Sequence, residues 1–288
     1  KDGQWTNSPI ITKNRLFNTV KQNNIQTGPC GPFIMAISYR SSNPVLNNKF
    51  MAALTGVETM SLQGSLRKIG LLLTMTIISA FATALICLNA GENMFLYAGI
   101  FAMVGSIVGF ILAIITFVSR PQNPAALMGL YALFEGMLVG GMSLVLEAQY
   151  PGIVLQAAFG TVGITATMYV MYSSRIIRPT PMFNKVIGGL VMSIMFLYLT
   201  SFILQMFSGY DVPFLHSSGP IGIGLTLFIL VVASLTLISD FGFIEAGVNS
   251  GAPKNMEWYA AFGILISLIW IYIESLRLLS KIRAFIQE

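Results

Sequence analysis

Seven apolar runs, at roughly 69–88, 94–118, 125–147, 152–173, 185–207, 219–241 and 256–279, occupy most of this chain. Each is close to the roughly 20 residues that an α-helix needs to cross a bilayer core. No Lys or Arg occurs between Lys68 and Arg120, so the first two runs are uninterrupted by basic charge. Only 9% of the residues are charged and the mean hydropathy is +0.75, against roughly 25% charged residues in soluble domains. The expected fold is therefore all-α: a polytopic membrane protein, a seven-transmembrane-helix bundle in residues 66–288. Residues 1–65 read as a polar, basic and largely disordered N-terminal tail.

The tail has no acidic residue from Gly3 to Val57, while Lys13, Arg15, Lys21, Arg40 and Lys49 are basic. That composition suits a basic segment on anionic headgroups, or an acid-poor, hydroxyl-rich transit segment. Its first 40 residues carry no apolar face and are expected to be dispensable for folding. Between the runs, charge alternates. Arg67 and Lys68 precede the first run, Arg120 follows the second, and Arg175, Arg178 and Lys185 follow the fourth. The intervening loops, Asn89–Asn93, Glu147–Pro151 and Ser208–Ser218, contain no base. Loop Lys and Arg orient membrane proteins, which places the N-terminus in the cytoplasm. Lys281 and Arg283 break the pattern: seven crossings put them outside, whereas a sixth segment that dips and returns keeps them inside.

Acidic residues inside apolar runs are functional candidates, because a charge at the bilayer centre costs about 2.5–3.5 kcal/mol on insertion scales. Glu135 lies ten residues into the third run, near the midplane. Asp240 lies at the cytoplasmic end of the sixth. Glu274, with Arg277 three residues on and on the same helix face, reads most simply as an interfacial helix-end pair. Spacings Gly105-xxx-Gly109 and Gly136-xxx-Gly140, and the glycines at 188, 189, 222 and 224, suit close helix approach in lipid.

Catalytic readings find little support, and no enzyme activity is expected. The single histidine, His216, stands beside Ser217 and Ser218 without a glycine-flanked nucleophile motif. One His and two distant cysteines, Cys30 and Cys87, do not make a zinc site of the usual N/S type, and the cysteines read as two reduced thiols. The seventh run has no lysine before Lys281 to carry retinal. No cofactor, metal or nucleic-acid partner is expected.

Four stretches carry a resemblance: SSNPVLNNKF (41–50), LFEGMLVGGMSLVLEAQYPGIVLQA (133–157), HSSGPIGIG (216–224) and SDFGFIEAGVNSGAPKNMEWYAAFGILISLIWIYIESLRLL (239–279). The chain resembles the YccA-like branch of the Bax inhibitor family over residues 41–283. The resemblance implies seven helices with the last one central. It also implies a pH-sensitive calcium leak controlled by aspartates on the sixth and seventh helices that share a proton. Asp240 matches the sixth-helix aspartate by its place before Phe241 and Ile244. Counting back from the Leu-Arg-Leu-Leu ending puts Ser267 at the seventh-helix position, and the second helix offers no base. Glu274 lies about 18 residues into its run, over 25 Å along the axis from the start of that run. That leaves Glu257 as the nearer acidic partner for Asp240.

Two functions of different class follow. One is a cation leak, with calcium or protons as the transported ions, gated by Glu135 and Asp240. The other is a non-conducting regulator of protein quality control or cell death, acting through a membrane protein partner. Both place the chain in a lipid bilayer as a multi-pass protein of a bacterial inner membrane or an organelle. A continuous cavity shared by Glu135 and Asp240 favours the first; dry packing favours the second.

Overall fold

The computed structural model describes residues 58–121, 123–209, 215 and 217–287. The N-terminal residues 1–57, with the expectations of a transit segment, a basic tail and dispensability, lie outside the described residues. Seven helices are long and apolar enough to cross a membrane: α1 Leu62–Leu88, α2 Met94–Ser119, α3 Ala125–Gln149, α4 Ile153–Ser173, α5 Pro181–Ser208, α6 Pro220–Ser250 and α7 Met256–Gln287.

Local chemistry sets their limits. The Ser61 side chain caps α1 by accepting from the Gly64 amide at 3.0 Å, and Thr180 does the same for α5 through the Phe183 amide. Pro181 and Pro220 open α5 and α6 at positions where a missing N–H costs nothing. Gly251 closes α6 in the left-handed conformation (φ 65°), which an L side chain adopts only with strain. No breaker stands between Asp240 and Gly251, so α6 continues for ten residues beyond Asp240. Asp240 is thus not at a helix end, contrary to the sequence reading. A dipping sixth segment is likewise excluded, since α6 is one continuous helix of 31 residues, about 46 Å long.

Close approach organises α1, α2 and α3. A Cβ on Gly136 would stand 2.5 Å from the Thr76 carbonyl oxygen of α1, and one on Gly105 would stand 2.5 Å from the Phe134 carbonyl oxygen of α3. These pairs are the helix-contact glycines expected from their spacing. Among the described residues, nothing stands within 4 Å of a Cβ at Gly188 or Gly189 of α5.

The last helix is the hub. It packs against α6, α1, α4 and α3. Phe262 and Leu265 meet Ile69 and Leu72 of α1 and Met128, Tyr131 and Ala132 of α3. Ile271 lies on Leu230, Ala233 and Leu237 of α6, and Leu276 lies on Ile153 and Ala157 of α4. Trp270 reaches Ile194 of α5. Outward-facing aromatics such as Phe81, Phe159 and Phe196 remain 66–70% exposed, the pattern of helices whose outer faces meet lipid.

The basic residues at the end of α7 do not behave as free loop charges. Lys281 is buried, and its Nζ donates to the Leu215 carbonyl at 2.7 Å, the Gly222 carbonyl at 3.2 Å and the Thr226 hydroxyl at 2.9 Å. Arg283 donates to the Pro151 carbonyl and to Gln156, each at 3.0 Å. The end of α7 therefore lies with the α3–α4 and α5–α6 connections, opposite the face bearing Arg120 and Arg175. Packing and hydrogen bonds outweigh the loop-charge rule here. A cysteine at exposed position 286 (Ile286→Cys), with Cys30 and Cys87 replaced by serine, is expected to label only from the side of the Asn89–Asn93 loop. Labelling from the basic face would refute the seven-crossing arrangement.

Candidate functional site

Asp240 sits ten residues from the end of α6, and Ser267 sits eleven residues into the antiparallel α7. Both are therefore about 15 Å from the basic-face ends of their helices. Their side chains meet: the Ser267 hydroxyl lies 2.6 Å from Asp240 Oδ2. Thr236, one turn before Asp240 on the same face of α6, brings its hydroxyl to 3.0 Å from Ser267 and 2.6 Å from the Ala233 carbonyl. Gly263 of α7 lets Asp240 approach, since a Cβ there would be 3.3 Å from Oδ1. Around this cluster, Phe241 packs on Tyr169 and Tyr172 of α4, and Ser239 donates to Asn184 of α5 at 2.9 Å. One turn beyond, the Tyr172 hydroxyl bonds Glu245.

Glu135 lies at the same depth, ten residues into α3. Its carboxyl rests against Gly109 of α2, where a Cβ would be 3.0 Å from Oε1, with the Tyr131 hydroxyl as polar neighbour. The Tyr131 ring meets Phe262 of α7 edge-on at 4.8 Å. Phe262 and Gly263 thus stand between the two carboxyls. Glu135 and Asp240 share a level of the bundle, each half-buried, with the Phe262–Gly263 stretch of α7 between them. A cavity of about 210 Å³ lies at the other end of α7, lined by residues including Gln149, Ser218, Arg277 and Lys281. Neither Glu135 nor Asp240 lines it.

Glu274 is not part of a helix-end pair. It lies thirteen residues before the end of α7 and is 1% exposed. Its Oε1 accepts from the Tyr198 hydroxyl of α5 at 2.7 Å and from Arg277 Nη1 at 2.9 Å. The Arg277 guanidinium lies over the Tyr198 ring. The pair was legible from its i, i+3 spacing. Its burial was not, because α7 extends eight residues beyond the apolar run.

Glu257, the expected acidic partner of Asp240, is committed elsewhere. Its Oε1 accepts from the Ser61 amide and hydroxyl, each at 2.9 Å, and its Oε2 takes the Lys68 ammonium at 2.7 Å. Lys68 also lies over the Trp258 ring. Residues 58–61 run along the α6–α7 turn, with the Met60 amide on the Ala252 carbonyl at 2.7 Å and Thr59 bridged to Pro253. Outside the helices, the Glu58 carboxylate holds the Lys254 ammonium above its ordinary range. That exposed contact stabilises the turn slightly at neutral pH and is lost as pH rises through the titration of Lys254.

Chemically, the Asp240 cluster offers one carboxyl and two hydroxyls. Calcium takes six to eight oxygen ligands, so the cluster as packed suits a proton better than a calcium ion. Among the described residues, no three His, Cys, Asp or Glu side chains converge as a metal site. Ser267 was found in the sequence only through the resemblance. Thr236 carried no separate signal, since a threonine in an apolar run ordinarily bonds its own helix.

The family model described as Bax inhibitor 1 like matches residues 9–284. No curated protein and no solved structure matches the chain. With a match over nearly the whole length and a seven-helix bundle around α7, this chain belongs to the Bax inhibitor family.

Proposed function

We propose that the chain is a pH-sensitive cation leak of the YccA-like branch, calcium being the cation the resemblance favours. In this reading the packing of α6 on α7 is the closed arrangement, and the basic face and N-terminus lie in the cytoplasm of a bacterium or organelle-bearing cell. The observation that carries this reading is the pairing of Asp240 with Ser267 at mid-bundle, level with Glu135 across the central helix. Both carboxyls lie where a change of charge is expensive, so proton occupancy and helix packing are linked. Glu135, beside Gly109 and Tyr131, is the pH sensor. Asp240, at the contact of α6 with α7, is the latch.

Flux of calcium and monovalent cations from liposomes tests this between about pH 5 and 8, the range in which buried carboxyls change charge. Glu135→Gln is expected to abolish the pH dependence without unfolding the protein. Asp240→Asn is expected to change the size of the leak. Wild-type liposomes that conduct nothing across the range would refute the proposal. A second reading, a non-conducting regulator that acts through a membrane protein partner, is favoured by one observation: Phe262 and Gly263 stand between the two carboxyls, and neither carboxyl lines the cavity at the other end of α7.

A further inference from the structure

At the end of α7 that meets the α3–α4 and α5–α6 connections, hydrogen bonds balance but charge does not. Lys281 is 6% exposed. Its Nζ donates to the carbonyls of Leu215 and Gly222 and to the Thr226 hydroxyl, whose own proton goes to the Gly222 carbonyl at 2.9 Å. Three acceptors match the three N–H groups of an ammonium. Among the described residues, however, no carboxylate forms an ion pair with it. A buried cation that lacks a counter-charge is costly even when it is hydrogen-bonded. The nearby acids are committed: Glu274 to Arg277 and Tyr198, and Glu147 to the Gly152 and Val154 amides at the start of α4. Arg283 adds a third cation, bonded to the neutral Pro151 carbonyl and Gln156. Among the described residues, the three cations Arg277, Lys281 and Arg283 outnumber the two carboxylates here, and one positive charge is left over.

We propose that the cavity beside Lys281 binds a phosphate group. It measures about 210 Å³ and is lined from three directions: by Gln149 at the end of α3, by Ser218 before α6, and by Arg277, Ser280 and Lys281 on α7. Lys281 supplies the charge, since its N–H groups are already used. The hydrogen bonds come from Arg277, Gln149 and Ser218. Among the described residues Arg277 bonds the protein through Nη1 alone, so its Nε and Nη2 remain for a ligand, and its side chain is 29% exposed. A guanidinium edge presents two parallel N–H groups to an oxyanion. A tetrahedral phosphate, with oxygens facing several ways, suits donors that converge from separate elements.

Depth narrows the source of that phosphate. Lys281 lies six residues before Gln287, the end of α7, which is about 9 Å along the axis. Gln149 ends α3 and Pro220 opens α6. The cavity is therefore at the level where a spanning bundle meets headgroups, on the face opposite Arg120 and Arg175. Two sources of the same chemistry reach it there: the phosphodiester of an anionic lipid, and free inorganic phosphate. The excess positive charge favours a headgroup of net negative charge over a zwitterionic one.

Thermal unfolding of the purified full chain in a nonionic detergent tests this without any flux measurement, so it stands apart from the leak reading. Inorganic phosphate is compared with chloride at equal ionic strength, and short-chain phosphatidylglycerol with short-chain phosphatidylcholine. At least one probe is expected to raise Tm above its control. A larger shift with phosphatidylglycerol assigns the site to lipid, and a larger shift with phosphate assigns it to the free anion. Gln149→Glu, at an exposed position, places a carboxylate in the cavity as a built-in counter-charge. It is expected to raise the Tm of the ligand-free protein. It is also expected to weaken the effective probe at least about tenfold through charge repulsion, read from the dependence of Tm on ligand concentration. Asn93→Glu, exposed on the same face but away from the cavity, is expected to bind as wild type does. The proposal is overturned if neither probe shifts Tm, or if Gln149→Glu binds as tightly as wild type. Binding that appears only in Asp211→Asn would also overturn it, by showing that Asp211, outside the described residues, is the counter-charge.

Discussion

Gly140→Leu is expected to abolish the folded bundle. A Cβ at Gly140 would overlap the Ala80 carbonyl oxygen of α1 and lie 2.9 Å from its Cα. These are backbone atoms of a neighbouring helix, so no side chain can rotate away to relieve the clash. Overpacking of a well-fitted interior costs about 1–3 kcal/mol even where side chains can adjust, and leucine adds four carbons where one does not fit. The flanking contacts deepen the loss. Gly136 meets Thr76 and Ser79 one turn earlier, and Gly141 meets Ala98 of α2. The Ser79 hydroxyl, bonded to the Leu133 carbonyl at 2.6 Å, would separate from α3 with them. Thermal unfolding and size-exclusion profiles in detergent read the effect. Gly188→Leu on α5, where nothing stands within 4 Å, is the control and is expected to stay near wild type. Equal stability of Gly140→Leu and the control would show that α1 and α3 are not packed backbone to backbone.

Lys68→Met is expected to destabilise the protein by about 3 kcal/mol, the low end for removing one partner of a buried ion pair. The Glu257 side chain is 1% exposed and that of Lys68 is 17% exposed. Without the ammonium, the carboxylate keeps only the Ser61 amide and hydroxyl, and a Cβ on Gly64 would collide with it, so the pocket has no room to rearrange. The lost contact over Trp258 adds to the effect. Replacing both partners, Lys68→Met with Glu257→Gln, is expected to recover most of the stability, because the double change leaves no uncompensated charge. The exposed Lys254–Glu58 pair behaves differently: its removal is expected to matter little and to matter less as salt rises. Chemical denaturation of the two single variants and the double variant decides the matter. A Lys68→Met variant as stable as wild type would show the pair to be solvated.

Much of the architecture could be read along the chain because the bilayer simplifies the problem. Backbone groups in lipid must bond within their own segment, so length and apolarity alone yield seven helices. Glycines at four-residue spacing mark the α1–α2–α3 seams because only a missing side chain allows backbones to touch. Helix ends were less legible. The run of apolar residues stops near Phe241, yet α6 continues to Ser250, because apolarity reports the lipid while hydrogen bonding and breakers such as Gly251 determine the helix. Two of the errors about the acids came from that gap. Asp240 moved from an end to the interior, and Glu274 from an interface to a buried network with Tyr198 and Arg277.

The sequence by itself determined that Glu135 and Asp240 are unusual, since a carboxyl in an apolar run announces its own desolvation. Their neighbours were decided only by the tertiary structure. Glu257, near in sequence logic to Asp240, belongs to Ser61 and Lys68, some 190 residues away along the chain. Lys281, an apparent loop charge, is enclosed by the carbonyls of Leu215 and Gly222. Ser267, an ordinary small residue in an apolar helix, becomes the partner of Asp240. The physical reason is the same in each case. The helical period shows which face a residue occupies, but which helix covers that face depends on long-range packing around α7, and hydrogen bonds form only between groups that this packing brings within about 3 Å.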